Sequence, residues 1–224
     1  DFCRIAYDIR SGSFEITGGT IDSCVRPNGT ESSSKLTKGI LAGLGSGQVT
    51  GTITDVTITN SASNYADWTS GGIEIYKNAD VTINGGSITN VQNGISVDNY
   101  YDPGNASNKT GATVRVNDVT VDATKNAIRV YGNGLETNNE TASVTVDGGS
   151  YTGDIAIVNG TTSEDSANRE NIGVTGAVIN GNIGTTGDGA IGIVNSTVTS
   201  NGGEPAYTGR TLGTNTLAGM CQAP

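Results

Sequence analysis

The feature that most constrains the fold of this chain is a repeated nine-residue pattern. Its clearest copy, VTINGGSIT, begins at Val81 and joins two short runs of β-branched and polar residues through Asn-Gly-Gly. The other copies are FEITGGTID from Phe14, GTITDVTIT from Gly51, VRVNDVTVD from Val114, VTVDGGSYT from Val144, IGVTGAVIN from Ile172 and IGIVNSTVT from Ile191. Their spacing of mostly about 28 to 37 residues, falling to about 19 for the last copy, is typical of solenoid repeats.

Three positions of the repeat keep one chemical character. The third is always β-branched: Ile16, Ile53, Ile83, Val116, Val146, Val174 and Ile193. The eighth is always apolar: Ile21, Ile58, Ile88, Val121, Tyr151, Ile179 and Val198. The fifth always tolerates a positive φ: Gly18, Asp55, Gly85, Asp118, Gly148, Gly176 and Asn195. We therefore expect a strand, a tight corner and a second strand in every copy.

A shorter motif precedes most copies and predicts one more strand. We number this strand the first of each coil, and the two strands of the nine-residue pattern are the second and the third. It reads GGIEIY from Gly71, NGISVD from Asn93, NAIRVY from Asn126 and DIAIVN from Asp154. Each segment alternates apolar and polar residues, as half-buried strands do. Helical repeats are disfavoured because Gly, Asn, Thr and Val are poor helix formers. An antiparallel β-sandwich is the main rival, but it would not require Ile or Val at one position of every copy.

Stacking explains why the positions repeat, since equivalent residues of successive coils would lie about 4.8 Å apart in continuous ladders. On these residues the chain resembles the right-handed parallel β-helix family, which includes pectate-lyase-like enzymes, autotransporter passenger domains and bacterial or phage surface proteins. The resemblance implies an all-β, single-stranded right-handed parallel β-helix (β-solenoid) of about seven coils with three short strands each. We place it over residues 11–203, with an N-terminal strand or cap over 1–10 and a C-terminal cap or assembly segment over 204–224.

The composition of the chain limits the classes of partner that we expect for this solenoid. The formal charge is -10, from 12 Lys and Arg against 22 Asp and Glu, and no basic cluster is present. We therefore expect no nucleic-acid partner, because phosphate contacts need concentrated Lys and Arg. No apolar run approaches the roughly 20 residues of a membrane span. The acidic composition, rich in Gly, Thr and Asn, favours an extracellular or cell-surface protein.

The three cysteines, Cys3, Cys24 and Cys221, lie near the two ends of the repeat region. Cys3 and Cys24 are about one short coil apart, so we favour a disulfide between them. Cys221 would then be a free thiol or form an interchain bond. A bond between Cys24 and Cys221 of successive subunits remains the alternative. The solenoid ends would be covered either by their own terminal segments or by another subunit, because exposed strand edges promote association.

Catalytic constellations are sparse. With no His in the chain, Ser-His-Asp and Cys-His chemistry are excluded and a zinc site lacks ligands. We predict no catalytic residue, no metal and no cofactor. The resemblance to pectin-cleaving enzymes would imply, in this chain, a cluster of acidic residues and a basic residue on adjacent coils. The outward columns of the first strand hold Glu74, Ser96, Arg129 and Ala156, then Tyr76, Asp98, Tyr131 and Val158. With one Arg and scattered acids, the first column is interpreted as a solvated face.

The best candidate for ligand binding is the insertion from Asp98 to Gly111. It contains Tyr100 and Tyr101, and we expect Tyr76, Arg129 and Tyr131 near its base. Aromatic rings with polar tips suit sugar or peptide binding, although an ordinary corner loop would also pack its tyrosines on the solenoid.

Two functions follow. The first is a non-enzymatic extracellular subunit with a structural or adhesive role, forming a homo-oligomer or filament through the solenoid ends. The second is a polysaccharide-binding or polysaccharide-cleaving β-helix.

Overall fold

The structure is a computed structural model that describes residues 5–22, 37–45, 47–61, 70–100, 111–133, 142–161, 171–186, 190–200, 210–212 and 216–218. The first nine strands are β1 Ile5–Ile9, β2 Gly12–Thr17, β3 Thr20–Asp22, β4 Thr37–Ala42, β5 Val49–Thr54, β6 Thr57–Thr59, β7 Ser70–Tyr76, β8 Ala79–Asn84 and β9 Ser87–Tyr100. The remaining strands are β10 Thr113–Asn117, β11 Thr120–Asn133, β12 Ser143–Asp147, β13 Ser150–Thr161, β14 Asn171–Thr175, β15 Val178–Thr186, β16 Ala190–Val194, β17 Thr197–Thr199, β18 Arg210–Leu212 and β19 Thr216–Ala218.

These strands form two parallel sheets that wind around one core. The eight-stranded sheet has the order β18-β16-β14-β12-β10-β8-β5-β2 and contains one strand from each of the seven aligned sequence copies. The eleven-stranded sheet has the order β1-β4-β7-β9-β11-β13-β15-β17-β19. Its two remaining strands are β3, which pairs with β6, and β6, which also pairs with β9. Neighbouring strands run parallel, as in β8 with β10 and β10 with β12, and no helix occurs in the described residues. The predicted all-β parallel β-solenoid is therefore confirmed, while its right-handed winding stays a prediction.

The predicted interior ladders are present. In the eight-stranded sheet Ile53 pairs with Ile83, Ile83 with Val116 and Val116 with Val146. The eighth positions form a second ladder in the other sheet, which includes Val121 paired with Tyr151. From the second copy onward both ladders are almost fully buried, and they belong to one continuous apolar cluster. Like side chains stack without voids, so each coil covers the apolar face of the next.

The corner between the two strands of each copy has the predicted backbone conformation. The fifth position has φ between 50° and 68° in all seven copies, with Asp at two of them, Asn at one and Gly at four. Asp and Asn tolerate this left-handed region better than other residues with a side chain. The repeat therefore turns sharply at the same residue in every coil, and the ladders stay in register.

The third strand of one coil and the first strand of the next are often continuous. Strands β9, β11, β13 and β15 each contain both segments, and shifts of register mark the bend between them. At one end of the molecule β1, β2 and β3 are the outermost strands. At the other end β18 pairs with β16 and β19 pairs with β17.

Candidate functional site

The first strands bring most of the predicted columns together. Glu74 pairs with Ser96 and Ser96 with Arg129, as expected from the sequence. The prediction of Ala156 as the fourth member of this column was wrong, because Arg129 pairs with Val158. The second column fails in the same way, because Tyr131 pairs with Gly160 and not with Val158. The physical reason is the shift of register in β13, where residues between Thr152 and Ile157 are accommodated in the bend.

The interpretation of the first column as a solvated face was also wrong. Glu74 is 7% exposed, Ser96 is 5% exposed and Arg129 is half-buried. The buried carboxylate of Glu74 forms an ion pair with the ammonium group of Lys38 from the preceding coil. Because an unpaired buried charge is costly, this partner allows an acidic residue to lie on a covered face.

Tyr76 belongs to the same cluster. The Lys38 Nζ atom lies 5.4 Å from the centre of the Tyr76 ring and donates a 3.5 Å hydrogen bond to its hydroxyl oxygen. The ring is half-buried. The ammonium group of Lys38 thus contacts both a carboxylate and an aromatic face, and these contacts link β4 to β7 on the outer face of the eleven-stranded sheet.

The other predicted ligand-binding residues are placed only in part. The backbone register brings Tyr76 beside Asp98 and Asp98 beside Tyr131, so these three positions do form a column across β7, β9 and β11. Tyr100 pairs with Asn133 at the ends of β9 and β11. Tyr101 and the cysteines Cys3, Cys24 and Cys221 lie outside the described residues. A ligand role for these residues stays a prediction.

A surface groove occurs elsewhere, at the bend that follows the third strand in the last four copies. We call it the side groove, and it has a volume of about 450 Å³. Its lining includes the ninth repeat position, Thr152, Asn180 and Thr199, and the tenth, Ala123, Gly153 and Gly181. Thr152 pairs with Asn180 and Asn180 with Thr199, so the ninth positions form a polar ladder along the groove.

Small residues at the tenth position let successive coils approach closely beneath the groove. The third copy has Asn90 there, with a φ of 55°, and the register shift beside it leaves Ala123 paired with Val91, whereas the fifth and sixth copies have Gly153 and Gly181. Gly181 has a φ of 138°, and a Cβ added to it would collide with the carbonyl oxygen of Gly153. The backbones therefore approach too closely for larger residues. The sequence holds this signal, but an analysis limited to positions three, five and eight misses it.

The polar lining of the side groove is neutral except at one residue. Thr124, Asp154 and Ser200 complete it, and Asp154 is the one ionisable residue among the described residues that line it. Part of the lining is held by hydrogen bonds, in which Ser200 Oγ donates to Asn182 Oδ1 at 2.7 Å and Asn180 Nδ2 donates to Thr152 Oγ1 at 3.5 Å. The groove thus presents hydroxyl and amide groups above a floor of Gly and Ala.

The outermost coil at the β1 end is the second surface of interest. Tyr7 pairs with Ile40, which is fully buried, yet Tyr7 is 47% exposed. Ile9, Phe14 and Ile16 in the same layer are only partly buried, although they pack against the core. This layer, which we call the terminal layer, leaves apolar side chains uncovered on the face that has no neighbouring coil among the described residues.

Other kinds of site are not evident in the described residues. No group of three or more Asp, Glu, Cys or His side chains there is arranged to hold a metal ion. The same part of the chain has no helix that is long and apolar enough to cross a membrane. No family model, no curated protein and no solved structure matches this chain.

Proposed function

We propose that this protein is a non-enzymatic extracellular β-solenoid, a structural or adhesive surface subunit that assembles end to end. The observation that carries the proposal is the terminal layer, in which Tyr7 is 47% exposed while its ladder partner Ile40 is fully buried. An apolar layer that continues an interior ladder is suited to contact another coil. A second copy of the chain supplies such a coil.

The contact would use the same physics as the interior of the solenoid. The outermost strands β1, β2 and β3 present one edge, and β18 and β19 lie at the opposite edge. Parallel pairing of these edges would join unlike surfaces of two subunits, and such head-to-tail contacts produce open filaments unless a rotation closes them into rings. Burial of Tyr7, Ile9, Phe14 and Ile16 would provide the apolar contribution.

The extracellular location is supported by the acidic, Gly- and Asn-rich composition and by the likeness of the repeat to surface-exposed right-handed parallel β-helices such as autotransporter passenger domains. In an oxidising environment, disulfides of Cys3, Cys24 or Cys221 would lock successive subunits after the coils have paired. Net negative charge keeps unassembled subunits soluble.

Sedimentation velocity over a concentration series of the 224-residue chain tests the assembly, with Tyr7→Asp as the disrupting variant. Val178→Asp is the matched control, because Val178 is 44% exposed but lies in β15, away from the terminal layer. We expect concentration-dependent oligomers for the wild type and for Val178→Asp, and a monomer for Tyr7→Asp, because a buried carboxylate opposes coil stacking. Circular dichroism of each variant verifies that the solenoid is folded.

Two results would overturn the proposal. One is a wild-type chain that stays monomeric at all concentrations under oxidising conditions. The other is a Tyr7→Asp variant that forms the same oligomers as the wild type, since the terminal layer would then play no part in them.

A further inference from the structure

We propose that the side groove binds a neutral, extended oligosaccharide. This site is separate from the terminal layer and does not depend on end-to-end assembly. It also differs from the Tyr-rich insertion, because Tyr76, Asp98 and Arg129 do not line it. The groove lies on the outer surface of the fourth to seventh sequence copies.

The shape of the groove suits a chain-like ligand. Its lining takes residues from four successive copies, from Ala123 in the fourth to Ser200 in the seventh. Adjacent strands are about 4.8 Å apart, so the polar groups recur at that interval along the solenoid axis. The groove has a volume of about 450 Å³ and is open to solvent, so a ligand would lie along the surface and would not be enclosed. A ligand with repeating polar groups can therefore contact several coils at once.

The chemistry of the lining favours sugar hydroxyls. Thr124, Thr152, Thr199 and Ser200 carry hydroxyl groups that both donate and accept hydrogen bonds, and Asn180 carries an amide that does the same. The Gly and Ala residues between them offer small apolar surface that the C–H face of a ring can contact. Alternating donors, acceptors and C–H surface are characteristic of saccharides.

Charge favours neutral over acidic saccharides. Asp154 lines the groove, and no Lys or Arg is found among the described lining residues. The chain as a whole carries a formal charge of -10. A uronic acid polymer carries charge of the same sign as the chain, so we expect neutral sugars to bind more tightly.

An extended peptide is a poorer fit. Peptides that bind sheets usually add a strand to a free edge. Along the side groove β13 is paired with β11 and β15, and β15 is paired with β13 and β17, so neither strand offers an edge. The oligosaccharide needs side-chain contacts alone, and the ninth-position ladder provides them.

Isothermal titration calorimetry with cellohexaose, xylohexaose and mannohexaose tests the proposal, with hexagalacturonate as the anionic probe and a polyalanine-based extended peptide as the peptide probe. The groove variant is Thr152→Val with Thr199→Val, which keeps β-branched side chains and removes two hydroxyls. The matched control is Thr59→Val with Thr89→Val, at the same ninth position of the second and third copies. We expect at least one neutral hexasaccharide to bind saturably, and the groove variant to raise its Kd about tenfold or more, as the loss of about one hydrogen bond or more predicts.

The control should leave that Kd within about twofold, and Tyr7→Asp should not change it either, because the terminal layer is remote from the groove. The proposal is overturned if no neutral hexasaccharide binds, if hexagalacturonate or the peptide binds more tightly, or if the control variant weakens binding as much as the groove variant. The proposal of end-to-end assembly does not depend on these results, because assembly is measured without any ligand.

Discussion

The first and second strands of the central coils differ in how far their outer faces are exposed to solvent. In both, the inward side chains are buried in one shared core. On the second strands the outward residues Arg115 and Thr145 are exposed to solvent. On the first strands the outward residues Leu41, Glu74 and Ser96 are buried. Similar alternating sequences thus form second strands with one exposed face and, in β4, β7 and β9, first-strand segments that are covered on both faces.

This difference changes what a polar side chain needs. A polar group on the exposed column is satisfied by water and gains little from a neighbour. A polar group on the covered column must find a protein partner or lower the stability of the fold. Glu74 and Lys38 meet this requirement with an ion pair. The predictions below begin with this contrast and continue to the packing between coils and to the shared interior, from the largest expected effect to the smallest.

The largest effect is expected when the buried ion pair is broken. Glu74→Gln keeps the size of the side chain but leaves the ammonium group of Lys38 without a carboxylate partner. The Lys38 side chain is only 12% exposed, so water cannot replace that partner fully. We expect the free energy of unfolding to fall by about 3–5 kcal/mol, measured by urea denaturation.

The exposed pair provides the control for this change. Arg115 Nη1 lies 2.5 Å from Asp80 Oδ1, and both side chains are 48% exposed. Asp80→Asn should cost about 1 kcal/mol or less, because water solvates the released guanidinium group. Equal losses for Glu74→Gln and Asp80→Asn would show that the two outer faces do not differ in environment.

A smaller effect is expected from adding one methyl group to glycines of the two strands. A Cβ at Gly94, in the first strand segment of β9, would collide with Val121 Cγ1 and lie 2.6 Å from the carbonyl oxygen of Ala127. A Cβ at Gly173, in the second strand β14, would have nothing within 4 Å. We expect Gly94→Ala to destabilise the fold by about 1–3 kcal/mol and Gly173→Ala to be neutral or stabilising by up to about 1 kcal/mol.

Thermal and urea denaturation of both glycine variants measure this difference. Neither glycine has a positive φ, so the comparison isolates the added methyl group from backbone strain. A tolerant Gly94→Ala variant would mean that neighbouring coils can separate locally, and the covered strand would then be less closely packed than its contacts indicate.

The smallest effect at neutral pH is expected in the interior that both sheets share. Tyr151 is fully buried, and its hydroxyl oxygen lies near the backbone amide of Val119 without forming a hydrogen bond of ordinary geometry. Tyr151→Phe removes that hydroxyl and should change the free energy of unfolding by about 1 kcal/mol or less near pH 7.

The pH dependence distinguishes Tyr151 from an exposed tyrosine. Burial raises the pKa of Tyr151 above its ordinary value of 10, and the negative charge of Asp118 raises it further. The unfolded chain therefore loses this proton at a lower pH than the folded chain. The resulting stabilisation is complete below about pH 10 and is lost as the pH rises above it. Urea denaturation at pH 8 and pH 11 should show a steeper loss for the wild type than for Tyr151→Phe, and parallel losses would contradict the raised pKa.

Much of the fold could be predicted from residue types and their spacing. Ile83, Val116 and their equivalents recur at one position, and Asp55, Asp118 and Asn195 mark corners with positive φ, so local chemistry was sufficient for the strands, the corners and the parallel stacking. The candidate sites were predicted less well. Ala156 was placed in the wrong column because the bend within β13 absorbs residues that an alignment of strand motifs does not count. The side groove was missed because it depends on how closely Gly153 and Gly181 approach in space.

What residue order decides in this protein is the alternation of side chains along each strand and the positions where the chain can turn, since both depend on steric effects within a few residues. What folding in three dimensions decides is which outer face is covered, where the register shifts and where a groove opens. Glu74 illustrates the reason: its partner Lys38 is 36 positions earlier in the chain, and only the stacking of coils brings the two charges together.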